Sequence, residues 1–168
     1  MDRAERERIF KDGVAEHSGM VARIVSAYEH APAVQEELLQ EAFAAFWKAL
    51  PSFRRQSSLK TFLARISHNV AVSHVRRERR MTSVPIEESW PDTAADPGER
   101  AARSVDRGKL LEAVRELPVG LRQVVTLHLE GFSDAETARA LDLTTANVSV
   151  RLTRARAQLR ARLREDGE

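Results

Sequence analysis

The sequence predicts an all-α fold: two small helical domains joined by a flexible acidic linker, the second domain a helix-turn-helix. Three observations carry this. Aromatic residues make up only 5% of the 168-residue chain, and runs of alternating apolar and polar residues are absent, so strand signals are weak. Apolar positions recur instead at a period of about 3.6 residues along most of the chain. That pattern stops between Thr82 and Glu99, where TSVPIEESWPDTAADPGE carries three prolines, five acids and no lysine or arginine, the composition of a linker. The expected units are residues 1–81, a linker over 82–105, and residues 106–168.

Taken in order, helices are expected at Arg3–His17, Met20–Tyr28 and Val34–Ala49. The third is acidic: Glu29 to Trp47 holds four acids (Glu29, Glu36, Glu37, Glu41) and no lysine or arginine. The next, Leu59–Arg80, is basic. Arg54 to Arg80 holds eight basic residues and one acid, Glu78. Ser58 is placed to cap it. Leu59, Phe62, Leu63, Ile66 and Val70 form its expected buried stripe, with Asn69, Val72, Val75, Arg76, Arg79 and Arg80 on other faces. A basic helix attracts phosphate, whereas an acidic, partly apolar one repels it and suits a basic protein surface. The loop before the basic helix, Pro51–Ser58, has hydrogen-bonding side chains that suit an unstacked base. By itself it reads more simply as a plain connection.

Beyond the linker, helices are expected at Asp106–Glu116, Gly120–Glu130, Asp134–Leu141 and Thr145–Arg164. Gly131 ends the second of these in a left-handed conformation. Ser133 and Glu136 form a Ser-x-x-Glu capping box, and Ala135, Ala138 and Leu141 give the short helix an apolar side. Asp142 sits at the tight turn, where a left-handed residue is needed, and Thr144 caps the last helix. Val148, Leu152, Ala155, Leu159 and Leu163 form a core-facing stripe, with Ala146, Val150, Thr153, Arg154 and Ala157 opposite. From Thr144 to Arg164 there are six arginines and no acid. Two short-linked helices, the second arginine-rich, form the unit that lays one helix in the DNA major groove.

Composition narrows the class. With 42% hydrophobic and 31% charged residues, net charge +2 and no cysteine, the chain reads as a soluble cytoplasmic protein without disulfides or thiolate metal sites. No apolar run approaches the ~20 residues of a membrane span, and MDRAERERIF is too charged for a signal peptide, so no membrane insertion is expected. There is no Gly-rich phosphate cradle, no Ser/His/Asp set and no carboxylate pair. His68 and His74 are expected on different helix faces, and the histidines at the surface or core edge. No catalytic residue, metal site or cofactor is therefore expected.

LLQEAFAAFW, SLKTFLARISHNVAVSHVRRERR, ELPVGLRQVVTLHLEGFSDAETARALDLT and NVSVRLTRARAQL resemble, in order and spacing, the bacterial extracytoplasmic-function (ECF) sigma factors. The resemblance covers nearly the whole chain. It implies a non-catalytic subunit that binds core RNA polymerase, recognises promoter DNA at its −35 and −10 elements and helps open the duplex. Glu36, Glu37, Leu38, Gln40, Glu41 and Phe43 match the family's polymerase-binding surface. Arg54, Arg55, Gln56 and Ser57, in the loop ending at Ser58, match its −10 specificity loop, and Asn69, Arg76 and Arg77 its melting helix. Asn147, Arg151, Arg154 and Arg156 match its −35 helix, to which the outward Val150 adds an apolar contact of this chain's own. The linker would run through the RNA exit channel. An anti-sigma factor is a further implied partner, although no residue here displays it.

The chain departs from the family pattern at Val34-Gln35, where Asp-Ala is usual, at Ser67-His68 in the melting helix, at Ser73 where Asp is usual, and at Asn147-Val148-Ser149-Val150. Two other readings stay open on sequence alone: a helix-turn-helix regulator acting without polymerase, and a helical adaptor that binds only protein.

Overall fold

The computed structural model describes residues 1–82 and 107–165, and among these there are helices and no strand. The expected linker lies outside them except for Thr82, as do Asp106 and residues 166–168. The helices are α1 (Arg3–Ser26), α2 (Pro32–Ala49), α3 (Leu59–Met81), α4 (Arg107–Arg115), α5 (Val119–Leu129), α6 (Asp134–Leu141) and α7 (Thr145–Glu165), with a 3₁₀ turn at Leu50–Ser52.

One expected boundary is absent. The two helices anticipated before Tyr28 are a single α1. Gly19 lowers helix propensity by about 1 kcal/mol, but the helix buries Met20, Val21, Ile24 and Val25 beyond it, and that packing outweighs the propensity. Asp2 opens α1 by accepting from the Glu5 N–H at 2.7 Å, and Pro32 occupies the first turn of α2, where its missing N–H is not needed.

α1, α2 and α3 pack together around Ile24, Phe46, Leu50 and Leu63, all closed to solvent. Gly13 permits the close approach: a Cβ there would lie 2.8 Å from the Phe46 ring and 3.4 Å from Leu59. Phe10 stacks on Phe46 with centroids 5.6 Å apart and meets Trp47 edge-on at 5.3 Å. Arg6 lies 4.0 Å over the Trp47 ring and donates to the Trp47 carbonyl.

α3 is more buried than its stripe predicted. Leu63 and Val70 are buried, while Leu59, Phe62 and Ile66 are half-buried; Thr61, Ala64, Ser67, His68, Ala71, Val72 and His74 are buried as well. Val72 is therefore a core residue and not an outward one. α3 contacts α1 and α2 on one side and α5 and α6 on another, so two of its faces are covered.

In the C-terminal half, α5, α6 and α7 pack around Val124, Ala138, Val148 and Leu152. The local signals at α6 behave as read. Ser133 and Glu136 form the reciprocal capping box, and Asp142 ends the helix at φ 56°. Gly131 has φ 77° with open space where a Cβ would stand, so its need is conformational. The Asn147 N–H donates to Thr144 Oγ1 at 3.1 Å. The apolar side of α6 is shifted, however: Thr137, Ala138 and Ala140 are buried, while Ala135 is exposed. On so short a helix, approach of α3 and α7 decides which side is covered.

The two halves share one core. A continuous apolar cluster runs from Ile9, Val25 and Leu63 to Leu117, Phe132, Ala140 and Leu159. Polar contacts cross the same junction. Arg23 donates Nε and Nη2 to the Glu130 carboxylate at 2.7 and 2.8 Å, Lys60 Nζ donates to the Glu130 carbonyl at 3.1 Å, and Arg115 donates to the Ser26 carbonyl at 2.8 Å.

Candidate nucleic-acid interface

Four surfaces carry the expected residues, and each is positioned differently. On α2, Glu36, Glu37, Gln40 and Glu41 are exposed and Phe43 is half-buried. Leu38 is a correction: it is 3% exposed, on the core side of α2, and an apolar side chain already sealed against α1 and α3 has no surface to offer a partner. Glu41 leans back to α3 and accepts from Arg77 at 3.4 Å. The departures at Val34 and Gln35 have local roles. Val34 packs against the core, and the Gln35 amide donates to the Glu29 carbonyl at 2.7 Å, fixing the α1–α2 connection.

The loop after the 3₁₀ turn presents Arg54, Arg55 and Gln56 to solvent, with Ser57 half-buried. Its base is fixed by the Phe53 and Phe62 rings, 4.8 Å apart, and by Ser58, which accepts from the Thr61 N–H at 3.1 Å. Arg55 adopts φ 55°, a conformation that is uncommon for a non-glycine residue and tends to gather at ligand-handling sites. Its guanidinium reaches Glu5 at 3.2 Å.

On α3, Arg65, Asn69, Ser73, Arg76 and Arg80 are exposed, and their spacing of four, four, three and four residues sets them in one line along the helix. Asn69 and Arg76 were anticipated; Arg65, Ser73 and Arg80 complete the stripe, and their spacing was the available signal. Arg77 borders it beside Glu41. Beneath the stripe lies polar chemistry that composition did not reveal. His68 is fully buried, contrary to the expectation of a surface or core-edge histidine. It shares a 2.9 Å hydrogen bond with Tyr28 through Nδ1, and its Nε2 has no partner among the described residues. Burial pushes the imidazole pKa down to about 3, so the ring is neutral at physiological pH. Burial pushes the Tyr28 phenol far up.

His74 Nε2 donates to Glu29 at 2.7 Å. Burial raises the Glu29 carboxyl, but hydrogen bonds from the Ala31 N–H, His74 and the His30 N–H outweigh it and lower its pKa overall. Glu29, His74 and Glu78 bring ligand-type atoms within 4.8 Å of one another. With Glu29 already bonded to His74 and to the Ala31 N–H, the arrangement serves as a brace between α3 and the start of α2.

On α7, Asn147 and Val150 are exposed and Arg151 and Arg154 half-buried; all four lie within an arc of about 100° around the helix. Arg156 lies outside that arc. It is about 240° around from Val150, and its guanidinium donates to His128 Nε2 on α5 at 3.1 Å. Val150, 49% exposed, is an uncovered aliphatic group at one edge of the arc, beside Arg154.

Both halves of the chain are similar to known proteins. The Sigma-70 region 2 family matches residues 14–81 and the Sigma-70, region 4 family residues 107–159. The ECF RNA polymerase sigma-E factor of Escherichia coli K12 is 30% identical over 161 residues, covering 89% of this chain and 84% of its own length. The ECF RNA polymerase sigma factor SigM of Mycobacterium tuberculosis H37Rv is 31% identical over 125 residues, and the match spans 74% of this chain and 61% of SigM. CnrH, solved in complex with the cytosolic domain of CnrY, superposes with a TM-score of 0.69 at 25% identity, covering 95% of this chain and 90% of CnrH. The sigma factor RpoE of Bartonella quintana, solved with the anti-sigma factor NepR, has a TM-score of 0.72 at 22% identity over 92% of this chain and 96% of its own, a likeness of fold. Among the described residues no helix is long and apolar enough to cross a membrane.

Proposed function

The chain belongs to the ECF RNA polymerase sigma factor family, and from that premise we propose that it binds core RNA polymerase in the cytoplasm and directs it to promoters as a non-catalytic subunit. One observation carries the reading: a single chain pairs an exposed polar and basic stripe on α3, next to an arginine-bearing loop, with a capped helix-turn-helix whose α7 arc is exposed. The exposed acids of α2 provide a surface of opposite sign for a protein partner.

In this reading Glu36, Glu37, Gln40, Glu41 and Phe43 face the polymerase. Arg54, Arg55, Gln56 and Ser57 receive a base displaced from the −10 element, and Asn69, Arg76 and Arg77 hold the separating strands. Unstacking costs a few kcal/mol per base; contacts to the displaced base and phosphates offset part of that, and no nucleotide hydrolysis is invoked. Asn147, Val150, Arg151 and Arg154 enter the major groove at −35, where the arginine fork suits guanine edges and phosphates and Val150 suits a thymine methyl. Arg156, turned to His128, is proposed to contact backbone phosphate beside the groove and not base edges. CnrH and RpoE were solved with CnrY and NepR, and an anti-sigma factor is proposed as a regulator here too.

The decisive experiment is transcription in vitro with purified core polymerase on a genomic fragment library. The expected outcome is run-off product from a subset sharing two spaced elements. Tight duplex binding by the free protein, with no initiation when core is added, would instead identify a helix-turn-helix regulator.

A further inference from the structure

One acid, Glu78, stands among the basic residues from Arg54 to Arg80, and the promoter reading has no use for it. It lies about 180° around α3 from the stripe of Asn69 and Arg76, so its charge is turned away from the phosphates proposed to bind there. It also sits in the last turns of α3, where the helix dipole disfavours a negative charge. What Glu78 does face is His74. The two are four residues apart, which puts them side by side on one face of the helix. Glu29, in the connection from α1 to α2, completes a set in which one ligand-type atom of each residue lies within 4.8 Å of the others. The Glu29–His74 brace accounts for two members and leaves Glu78 out.

The three residues have the build of a cation site. Glu29 Oε1 accepts from the Ala31 N–H at 2.7 Å, and the Gln35 amide holds the Glu29 carbonyl at 2.7 Å, so Oε2 is fixed toward α3. Hydrogen bonds of this kind orient metal-ligating carboxylates. The Glu29 and His74 side chains are 13% and 11% exposed, while Glu78 is open to solvent. Two shielded ligands therefore stand ready, and the third leaves an entry path. Around zinc, bonds of about 2.0–2.2 Å set tetrahedral ligand atoms about 3.3 Å apart. The 2.7 Å contact between Glu29 and His74 needs to open by only about 0.6 Å to match, and the exposed Glu78 side chain can swing in. One imidazole nitrogen and two carboxylate oxygens suit a divalent transition metal with a fourth position for water. Mg²⁺ and Ca²⁺ prefer sets of oxygen alone. The lack of cysteine removes thiolate sites and leaves this chemistry untouched.

We propose that Glu29, His74 and Glu78 form a binding site for a divalent transition-metal cation of the zinc class, which clamps the last turns of α3 to the α1–α2 connection. The cation replaces the Nε2 proton that His74 donates to Glu29, and that proton passes to Nδ1 or to solvent. The Glu78 carbonyl accepts from Thr82 Oγ1 at 3.1 Å, so the clamp acts on the turn that ends α3. Arg76, Arg77 and Arg80 belong to the same turns. The site itself does not depend on the promoter reading.

Calorimetric titration of the metal-stripped full chain with Zn²⁺, against a competing chelator, tests the site. One saturable equivalent per chain is expected, and saturating Zn²⁺ is expected to raise the melting midpoint by about 5 °C or more. Glu78→Gln removes one ligand at an exposed position and keeps the brace. It is expected to weaken Zn²⁺ binding by about tenfold or more and to remove most of the melting shift. His74→Gln, whose amide can still donate to Glu29, is expected to do the same. Co²⁺ is expected to give visible d–d absorption in the parent chain that both variants lose. Absence of a saturable Zn²⁺ site overturns the proposal. So does equal binding by the parent and Glu78→Gln, the result if His17, His30 or His128 held the ion. Displacement of Zn²⁺ by a roughly hundredfold excess of Mg²⁺ overturns the transition-metal class. Failure to initiate transcription with core polymerase overturns the sigma reading and leaves the metal site standing.

Discussion

α3 and α7 are both long, arginine-rich helices, yet they are held in place by different means. α3 is covered on two sides, and its fixed orientation comes from buried polar contacts: His68 with Tyr28, His74 with Glu29, and Ser67 Oγ donating to the Leu63 carbonyl at 2.8 Å. α7 is buried along the single stripe of Val148, Leu152, Ala155 and Leu159, packed on α4, α5 and α6, and its start is set by the caps and turn that precede it. A helix proposed to hold separated strands is thus embedded in a rigid body, whereas one proposed to read an intact groove is presented on a short, locally specified motif. Buried polar pairs define orientation at the expense of desolvation; caps define it cheaply and leave most of the helix surface available.

The contrast can be broken first at the cores. Leu63→Ala, at a fully buried site, is expected to cost about 3–4 kcal/mol, and Leu152→Ala at the less enclosed α7 stripe about 2–3 kcal/mol. Urea melts of both variants measure the difference; equal losses would mean that α7 is embedded as deeply as α3. Acid is the next lever. The folded pKa of His68 lies at about 3 against an ordinary 6.5. The unfolded chain therefore gains a proton below pH 6.5 that the folded chain refuses. Stability from this group is complete above about pH 6.5 and lost as pH falls toward 3, amounting to about 2 kcal/mol by pH 5. Glu29, whose folded pKa is lowered, works in the same direction at lower pH. Melts from pH 7.5 to 5 should show that slope, and His68→Phe should flatten it even while lowering overall stability.

Smaller effects test the caps. Ser133→Ala removes the acceptor for the Glu136 N–H and the donor to its carboxylate. It is expected to cost about 1 kcal/mol and to weaken −35 binding more than −10 binding. Smallest in stability, Val150→Lys should shift the melting midpoint hardly at all while changing the preferred −35 sequence. An unaltered preference in a randomised −35 library would remove Val150 from the set of specificity residues.

The parts legible in the sequence were those specified over a few residues. The α6 boundaries follow from Ser133, Glu136 and Asp142, all within one turn of the helix they bound, and the stripe of α7 follows from its own spacing. Contacts made at a distance were not legible. His68 read as peripheral because its partner, Tyr28, lies 40 positions earlier. Leu38 matched a surface motif by position, although the packing of α1 and α3 had already claimed it. Arg156 belonged to an arginine run, and only the approach of α5 turns it to His128. The boundary expected between His17 and Met20 is overridden by tertiary burial. The junction around Glu130 was the least readable: Arg23 and Glu130 are 107 positions apart, and no periodicity links them.

Tyr28 is the chain's one tyrosine, and it stands where Arg122 from the other half meets the His68 pair. The molecule therefore contains a native gauge of its own domain arrangement. Biosynthetic fluorotyrosine would give a single resonance, sensitive to whether a guanidinium or water lies near the ring. That signal reports the junction in the purified chain without a dye or a cysteine substitution.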